Sequence, residues 1–334
     1  MKGNNFFRIL SVFVLVVAIF SFVLVREGST QQPLLRLSMG TGGTGGVFYI
    51  MGGGIAKILT KYVPNTEVTV EVTGGSVDNC RLLKSNKADL GLSGADISFD
   101  AINGIGKFGK GAPEEKIPLR SLGAIYINHM HFITHKDSPM KSVSDLKGKR
   151  VSTGSPGSGT EVKTTRILEA FGINPDKDIK RERLGANESV NAFKDRKLDV
   201  IGWDGGIPTS AILDLASTPG ISIKVLSCAE GVPELNKKYP DVYFPTVIPK
   251  GTYPGIDYDV QSIGVTNLFV TLEKMDSSLV YTIVKTLYAH INPDLVAVHK
   301  EASKINLQMM TTGSSIPFHP GAVKFYAEQG VKVK

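Results

Sequence analysis

The residues best suited to binding a ligand lie in four short turns rich in glycine and hydroxyl side chains. The first is GTGGTGG at 40–46, which follows an apolar run and precedes a helix-like segment from about Phe48. The others are TGGS at 73–76, GSPGSGT at 154–160 and DGGIPT at 204–209. A glycine turn that opens a helix exposes backbone N–H groups at the positive end of the helix dipole, which favours an anion such as a carboxylate or phosphate.

Glycine and serine also cap helices and make turns where no ligand binds. For any single turn this explanation is as good as anion binding. Four such turns with few charged side chains favour a shared ligand site, because open α/β sheets bind ligands at the carboxyl ends of their strands. Two turns lie in the first half of the chain and two in the middle. We therefore expect two lobes that face a common cleft.

Apolar runs and helix-like segments alternate along the chain, which predicts parallel sheets covered by helices on both faces. The predicted strands are 68–72, 88–92, 122–134, 150–153, 200–203 and 221–226. The predicted helices start near 48 and span 74–83, 161–171 and 209–215. The long run at 122–134 is the expected crossing between the lobes. The fold class predicted from this rhythm is α/β.

Motifs for cofactor chemistry or catalysis fit poorly. Gly40-x-Gly42-x-x-Gly45 matches the dinucleotide fingerprint, but Glu71, the nearest acid for the ribose, lies too far along the chain. No glycine turn carries the lysine of a phosphate-binding P-loop, and no Gly-x-Ser-x-Gly nucleophile elbow occurs. Without a nucleophile, base and orienting group, we expect neither enzymatic activity nor a cofactor.

The histidines and cysteines give no sign of a metal site or of catalysis. The six histidines do not pair with cysteines or with each other at metal-ligand spacing, so we predict no metal site. His129, His131 and His135 fall on the long predicted strand, where a partly exposed or hinge position is favoured over catalysis. Cys80 is predicted on a helix and Cys228 at a strand end in the other lobe. Two separate buried thiols are therefore favoured over a disulfide, although export would permit one.

The N-terminus has the features of an export signal. Lys2 and Arg8 precede an apolar run from Ile9 to Val25, and Arg26 and Glu27 close it. The run is at the short limit for a spanning helix, so residues 1–28 are either a cleaved signal peptide or a membrane anchor. The net charge is +7, but the positive charges are scattered, which argues against nucleic-acid binding and favours mild attraction for anionic ligands.

Six segments in order resemble the TAXI family, the solute-binding subunits of TRAP transporters. They are GTGGTGGVFYIMGGGIA (40–56), TGGSVDNCRLLKSNKADLGLSGADI (73–97), YINHMHFI (126–133), DLKGKRVSTGSPGSGTEV (145–162), WDGGIPTSAI (203–212) and PFHPGAVKFYAEQG (317–330). The likeness covers nearly all of the chain after residue 34. The family tends to have tyrosine where this chain has Phe48. This chain therefore lacks one side-chain hydroxyl that could contact the ligand.

The resemblance implies a two-lobed type II periplasmic binding protein with a hinge and an interlobe cleft. Lobe 1 would comprise 34–127 and 245–334, and lobe 2 would comprise 128–244. The implied ligand is a small carboxylate or acidic amino acid, such as glutamate or 2-oxoglutarate. The implied partner is an ion-driven TRAP permease in the membrane. We expect a monomer in the periplasm, either free or tethered to the inner membrane by an uncleaved N-terminal segment. The alternative is an anchored sensor or surface interaction protein of the same fold.

The ligand-binding residues predicted from the turns and the resemblance come from both lobes. They are Thr44, Gly45, Phe48, Ser76, Ser93, Tyr126, Ser155, Ser158, Gly159, Thr160, Trp203, Asp204 and Gly205. In this prediction, Ser155, Ser158 and Thr160 hold a carboxylate, while Asp204 is a candidate partner for an ammonium group. Trp203 is alternatively a core aromatic, and Tyr126 alternatively packs at the hinge.

Overall fold

A mixed sheet of ten strands organises the described part of the chain. The computed structural model describes residues 33–112 and 116–333, and the predicted export segment at 1–28 lies outside the described residues. The strands are β1 (Leu35–Gly40), β2 (Thr66–Glu71), β3 (Leu90–Gly94), β4 (Leu119–His135), β5 (Arg150–Ser152), β6 (Lys180–Glu182), β7 (Val200–Gly205), β8 (Ile223–Leu226), β9 (Phe244–Ile248) and β10 (Val260–Leu272).

Helices alternate with these strands, as the sequence predicts. They are α1 (Val47–Tyr62), α2 (Ser76–Lys84), α3 (Ala95–Asn103), α4 (Gly159–Ala170), α5 (Ala186–Lys194), α6 (Ser210–Ser217), α7 (Val232–Lys238), α8 (Ser277–Ala289), α9 (Leu307–Thr311) and α10 (Pro320–Glu328). Helix α1 shows why they form where they do. Its buried Val47, Met51, Ile55 and Leu59 recur every four residues and make one apolar stripe that packs on the sheet.

Two long strands join the two parts of the sheet. The order is β2-β1-β3-β10-β4-β7-β5-β6, with β8 paired to β4 and β9 paired to β10. The first part of β4 pairs with β10, and from His129 onward β4 pairs with β7 and β8. Similarly, β10 pairs first with β9 and then with β4 and β3. The predicted crossing strand at 122–134 is therefore β4, extended by a few residues at its N-terminal end.

The parallel strands lie on either side of this antiparallel pair. Strands β1, β2 and β3 are parallel to one another, as are β5, β6 and β7. All five residues of β3 are buried, which is typical of a strand covered on both faces. The four predicted glycine turns follow the carboxyl ends of β1, β2, β5 and β7.

The core continues from one part of the sheet to the other. The largest cluster of buried apolar residues includes Val77 and Ile97 from the first part and Val162 and Ile167 from the second. By its contacts, Leu35–Lys334 is one compact unit, and the predicted lobe boundaries stay a prediction. Both cysteines are buried and free, which confirms that expectation. Across the residues described, no helix combines the length and apolar character needed to cross a membrane.

Candidate functional site

A cleft lies where the turns after several strands meet. Its lining comes from both parts of the sheet and from β4 between them. The lining residues are Gly42, Gly43, Gly46, Val47, Phe48, Gly74, Gly75, Ser76, Tyr126, Asn128, Ser155, Ser158, Gly159, Thr160, Gly185, Ala186, Trp203, Asp204 and Gly205.

Four helices begin at this cleft. Their N-cap residues are Gly46 for α1, Gly75 for α2, Ser158 for α4 and Gly185 for α5, and all four line the cleft. The first N–H groups of each helix have no partner inside their own helix, and the helix dipole adds partial positive charge there. The residues that line the cleft include no lysine or arginine. Positive charge at the cleft surface is therefore the partial charge of the helix N-termini.

The turn before α4 is held by its own side chains. The Ser158 hydroxyl accepts a hydrogen bond from the Glu161 N–H at 2.9 Å and donates one to the Ser155 carbonyl at 2.6 Å. Gly157 has a φ of +78°, and a Cβ there would lie 2.1 Å from Asp78 Oδ1. Glycine is therefore required at 157 for both conformation and space. Because the Ser158 hydroxyl is occupied as a helix cap, it shapes the turn, and the next two residues, Gly159 and Thr160, line the cleft.

The floor of the cleft is polar and buried. Tyr126 and Asn128 lie two residues apart on β4 and so share one face of the strand. Asn128 Nδ2 donates to Asp204 Oδ2 at 2.6 Å, and the same carboxylate oxygen contacts the Lys163 ammonium. Burial raises the pKa of Asp204, while Lys163 opposes that rise. Within the described chain, Asn128 Oδ1 and Asp204 Oδ1 have no hydrogen-bond partner.

Behind the floor, a buried ionic cluster extends from Asp204 towards α3. Lys163 Nζ lies 3.9 Å from Asp96 Oδ1. The Tyr243 hydroxyl donates to Asp96 Oδ2 at 3.1 Å and accepts from Arg166 Nη1 at 3.0 Å. Arg166 also pairs with Asp100. Every charged side chain in this cluster is at most 7% exposed.

Aromatic side chains form the walls. Phe48 and Tyr126 meet edge to face with ring centroids 6.2 Å apart, and burial raises the pKa of Tyr126 well above its usual value. Trp203 is partly exposed, lines the cleft and donates from Nε1 to Thr209 Oγ1 at 3.0 Å. A Cβ on Gly46 would lie 3.3 Å from the indole. Trp203 thus lines the cleft with one side and packs against a core cluster with the other.

The histidines of β4 support the site from outside it. His131 Nδ1 lies 3.3 Å from the Trp203 carbonyl, and its Nε2 lies 3.1 Å from the Tyr253 hydroxyl. His129 Nδ1 lies 3.2 Å from Thr246 Oγ1. Burial lowers the pKa of His129 to about 3 and that of His131 to about 4. Both rings are buried, whereas His135 is partly exposed, and a hinge position for His129 and His131 stays a prediction.

Around the cleft the two parts of the sheet touch directly. The Asp78 N–H donates to the Gly157 carbonyl at 3.1 Å, and Ser155 Oγ donates to the Gly74 carbonyl at 3.3 Å. On the opposite rim, the Ala211 N–H donates to the Gly45 carbonyl at 3.3 Å. These bonds link turns that the sheet itself does not hold together. The structure is therefore that of a closed cleft.

Most of the predicted site residues line the cleft. They are Phe48, Ser76, Tyr126, Ser155, Ser158, Gly159, Thr160, Trp203, Asp204 and Gly205. Thr44, Gly45 and Ser93 do not. Thr44 is exposed on the rim, where its hydroxyl accepts from Asn187 Nδ2 at 3.3 Å. Ser93 is fully buried beside Cys80, with Oγ and Sγ 3.6 Å apart.

Several cleft residues were missed, and so was Lys163 behind the floor. Asn128 carries no sequence signal that distinguishes it from the neighbouring polar residues of the strand, although the two-residue period of a strand places it on the same face as Tyr126. Gly185 and Ala186 open α5, which the sequence analysis did not predict. Gly42, Gly43 and Gly46 belong to the identified first turn, but which of its residues face inward depends on backbone angles that glycine leaves free. Lys163 was missed because nothing local marks a lysine as buried.

Comparison with solved structures gives the fold. MatC from Rhodopseudomonas palustris, with bound malate, is 12% identical with a TM-score of 0.55 over 81% of this chain and 90% of that one. A periplasmic transporter structure is 11% identical with a TM-score of 0.53 over 88% and 91%. A protein from Bordetella bronchiseptica is 14% identical with a TM-score of 0.51 over 87% and 88%.

The chain thus has the α/β fold of the type II periplasmic binding proteins, with two lobes that meet at a cleft. The family model described as the NMT1-like family matches residues 39–330. Because that match covers most of the chain, the protein belongs to the NMT1-like family. The predicted placement in the TAXI family goes further than this result and stays a prediction.

Proposed function

We propose that this protein is an extracytoplasmic solute-binding protein that closes on a small carboxylate in the cleft and delivers it to a TRAP-type permease. The observation that carries the proposal is the convergence of the N-termini of α1, α2, α4 and α5 on one cleft. Helix N-termini bind anions through their free N–H groups and dipoles. A carboxylate there needs no arginine or lysine side chain.

The floor of the cleft supports a solute with a hydrogen-bond donor as well as a carboxylate. Asp204 Oδ1 and Asn128 Oδ1 are buried acceptors without a partner among the described residues, and a buried acceptor left unpaired is costly. Lys163 already neutralises the other oxygen of Asp204. An acidic amino acid such as glutamate would satisfy both ends of the cleft, with its ammonium at the floor and a carboxylate at the helix N-termini.

Two further observations support a transport role. The comparison fold belongs to binding proteins, and the MatC structure contains malate, a small dicarboxylate. The closed rim indicates that a bound solute would be shielded from water until the lobes part. Release to a membrane permease would therefore require the two sides of the cleft to part. The predicted export segment supports a periplasmic location for such a protein.

A thermal-shift screen followed by calorimetry tests this function. The purified chain is melted with L-glutamate, 2-oxoglutarate or malate, and with glucose, L-lysine or L-arginine for comparison. A ligand that binds only the folded state raises the free energy of unfolding by RT ln(1 + [L]/Kd), and the melting temperature rises with it. We expect carboxylates to stabilise the protein and the others not to. Stabilisation by sugars or cationic amino acids alone would reject the carboxylate assignment.

A further inference from the structure

The Trp203 side chain reaches from one side of the cleft to the other. It belongs to β7, and its indole packs against Gly46, the N-cap of α1, where a Cβ would lie 3.3 Å from the ring. On its own strand the indole lies over Gly205, where a Cβ would lie 2.5 Å from Nε1. A rotation of the indole would therefore change both the shape of the cleft and the contact with α1.

The indole nitrogen is held by Thr209. Trp203 Nε1 donates to Thr209 Oγ1 at 3.0 Å, and that hydroxyl donates in turn to the Gly206 carbonyl at 2.7 Å. Thr209 is the N-cap residue of α6, but its side chain makes no cap hydrogen bond. A threonine at an N-cap ordinarily accepts from an N–H group two or three residues further on. Here the hydroxyl binds the indole and does not cap the helix.

The backbone of Thr209 leads to two buried side chains away from the cleft. Its N–H donates to the Tyr253 hydroxyl at 3.1 Å, and that hydroxyl lies 3.1 Å from His131 Nε2. His131 Nδ1 lies 3.3 Å from the Trp203 carbonyl. Trp203, Thr209, Tyr253 and His131 thus form a closed circuit of hydrogen bonds, which we call the Trp203 cycle. The last three residues are at most 1% exposed, and the lining of the cleft includes none of them.

The direction of each hydrogen bond in the Trp203 cycle follows from its atoms. A carbonyl oxygen can only accept, so His131 Nδ1 carries a proton and donates to the Trp203 carbonyl. Burial lowers the pKa of His131 to about 4, so the imidazole is neutral at pH 7 and its Nε2 is an acceptor. The Tyr253 hydroxyl therefore donates to Nε2 while it accepts from the Thr209 N–H. Every donor in the cycle then has an acceptor.

We propose that Tyr253 and His131 are positioning residues for the solute, because the Trp203 cycle that runs through them fixes the indole as a wall of the cleft. This inference rests on the proposed function, since it takes that wall to face a bound solute. Removing the Tyr253 hydroxyl would leave the Thr209 N–H and His131 Nε2 without partners in a buried place, which is costly. The turn that carries Thr209 would shift to find other partners, and the indole bonded to it would move.

Fluorescence tests the position of the indole without any solute. The chain has a single tryptophan, so its emission reports Trp203 alone. Tyr253→Phe removes one hydroxyl from the cycle, and we expect acrylamide to quench its emission more strongly than that of the wild type. Tyr326→Phe is the matched control, because it removes another buried tyrosine hydroxyl, which donates to the Leu122 carbonyl at 2.6 Å. Its quenching should equal that of the wild type.

A second pair of variants changes the atom that binds the indole. Thr209→Val keeps the shape of the side chain but removes the hydroxyl, so we expect stronger quenching. Thr209→Ser keeps the hydroxyl and should restore the quenching of the wild type. If Tyr253→Phe does not fold, nitrogen NMR of the wild-type histidines tests the link through Tyr253. We expect His131 to be the Nδ1–H tautomer, and the Nε2–H tautomer would overturn the cycle.

Calorimetry with L-glutamate tests the consequence for binding. Tyr253→Phe should weaken binding roughly fivefold, the equivalent of one buried hydrogen bond. The same change made in a Trp203→Phe background should cost no further affinity, because the side chain that Tyr253 positions is already gone. A purely structural role for Tyr253 would instead reduce affinity equally in both backgrounds.

The two proposals fail in different ways. Equal quenching in Tyr253→Phe and the wild type would overturn the positioning role and leave the proposed function standing. An equal loss of affinity in the two backgrounds would also overturn that role, since Tyr253 would then act without Trp203. If L-glutamate does not bind, but quenching increases in Tyr253→Phe and Thr209→Val and not in Thr209→Ser, the positioning role stands and the proposed solute is wrong.

Discussion

Lys163 on α4 and Asp204 at the end of β7 form a buried ion pair directly beneath the cleft, with side chains 2% and 3% exposed. Asp204 faces the cleft, whereas Lys163 also approaches Asp96 on the other side of the interface. One ammonium group therefore serves both the floor of the cleft and the contact between the two parts of the sheet. The energetic and functional roles of this pair can be separated by substitution.

Replacing Lys163 with methionine should destabilise the fold. The change keeps the side-chain volume but leaves Asp204 and Asp96 without their cation in a buried site, which costs about 3–5 kcal/mol when one partner of a buried pair is removed. Urea denaturation measures the free energy of unfolding. The control is Lys194→Met, which breaks the more exposed pair with Asp214 and should cost about 1 kcal/mol or less. Equal losses in the two variants would contradict this account.

Ser158→Ala should weaken both the fold and the binding of solute. Loss of the N-cap bond to the Glu161 N–H should cost about 1 kcal/mol of stability, and the loosened turn should present its N–H groups less well. Asp276→Ala removes the N-cap of α8, where the side chain accepts from the Leu279 N–H. This control should lose similar stability but bind glutamate as the wild type does. Denaturation and calorimetry on both variants make the comparison.

Gly159→Asp should reduce solute affinity at least about tenfold, equivalent to ~1.4 kcal/mol. A Cβ at this position would lie 3.0 Å from Ser76 Oγ, and the added carboxylate would stand beside the bound anion. Gly53→Asp makes the same change on α1, where a Cβ meets no atom within 4 Å, and should leave affinity unchanged. Calorimetry decides, with circular dichroism to verify the fold. Affinity within twofold of wild type would remove this turn from the site.

Acid should destabilise the protein through His131. Its pKa is about 4 in the folded state and about 6.5 when unfolded. The unfolded state therefore takes up the proton first, and stability falls as pH drops from about 6.5 to about 4. The slope approaches about 1.4 kcal/mol per pH unit. Denaturation across this range should show a shallower slope for His131→Gln, with His290→Asn as control. Parallel curves for wild type and His131→Gln would contradict the assignment.

The strands and helices around the site could be predicted from the sequence, but only some of the side chains within it could. Glycine turns between apolar runs identify strand ends, and strand ends of an α/β sheet gather at one edge, so Gly159 and Trp203 could be placed. Ser93 could not, because the face of a strand that a residue takes depends on packing. Lys163 requires partners from α3 and β7, which are distant in sequence. Such long-range pairing leaves no local pattern to read.

Main-chain N–H groups cannot be deleted by exchanging a side chain. If the four helix N-termini bind the carboxylate of the solute, most point mutations leave carboxylate binding intact. The exceptions are substitutions that introduce a side chain at a glycine such as Gly159. Residues such as Phe48, Asn128 and Trp203 can then change between relatives. Their side chains would select the part of the solute that lies beyond its carboxylate. The cleft thus separates the backbone groups that bind the carboxylate from the side chains that distinguish one solute from another. This arrangement allows members of a family to bind different carboxylates.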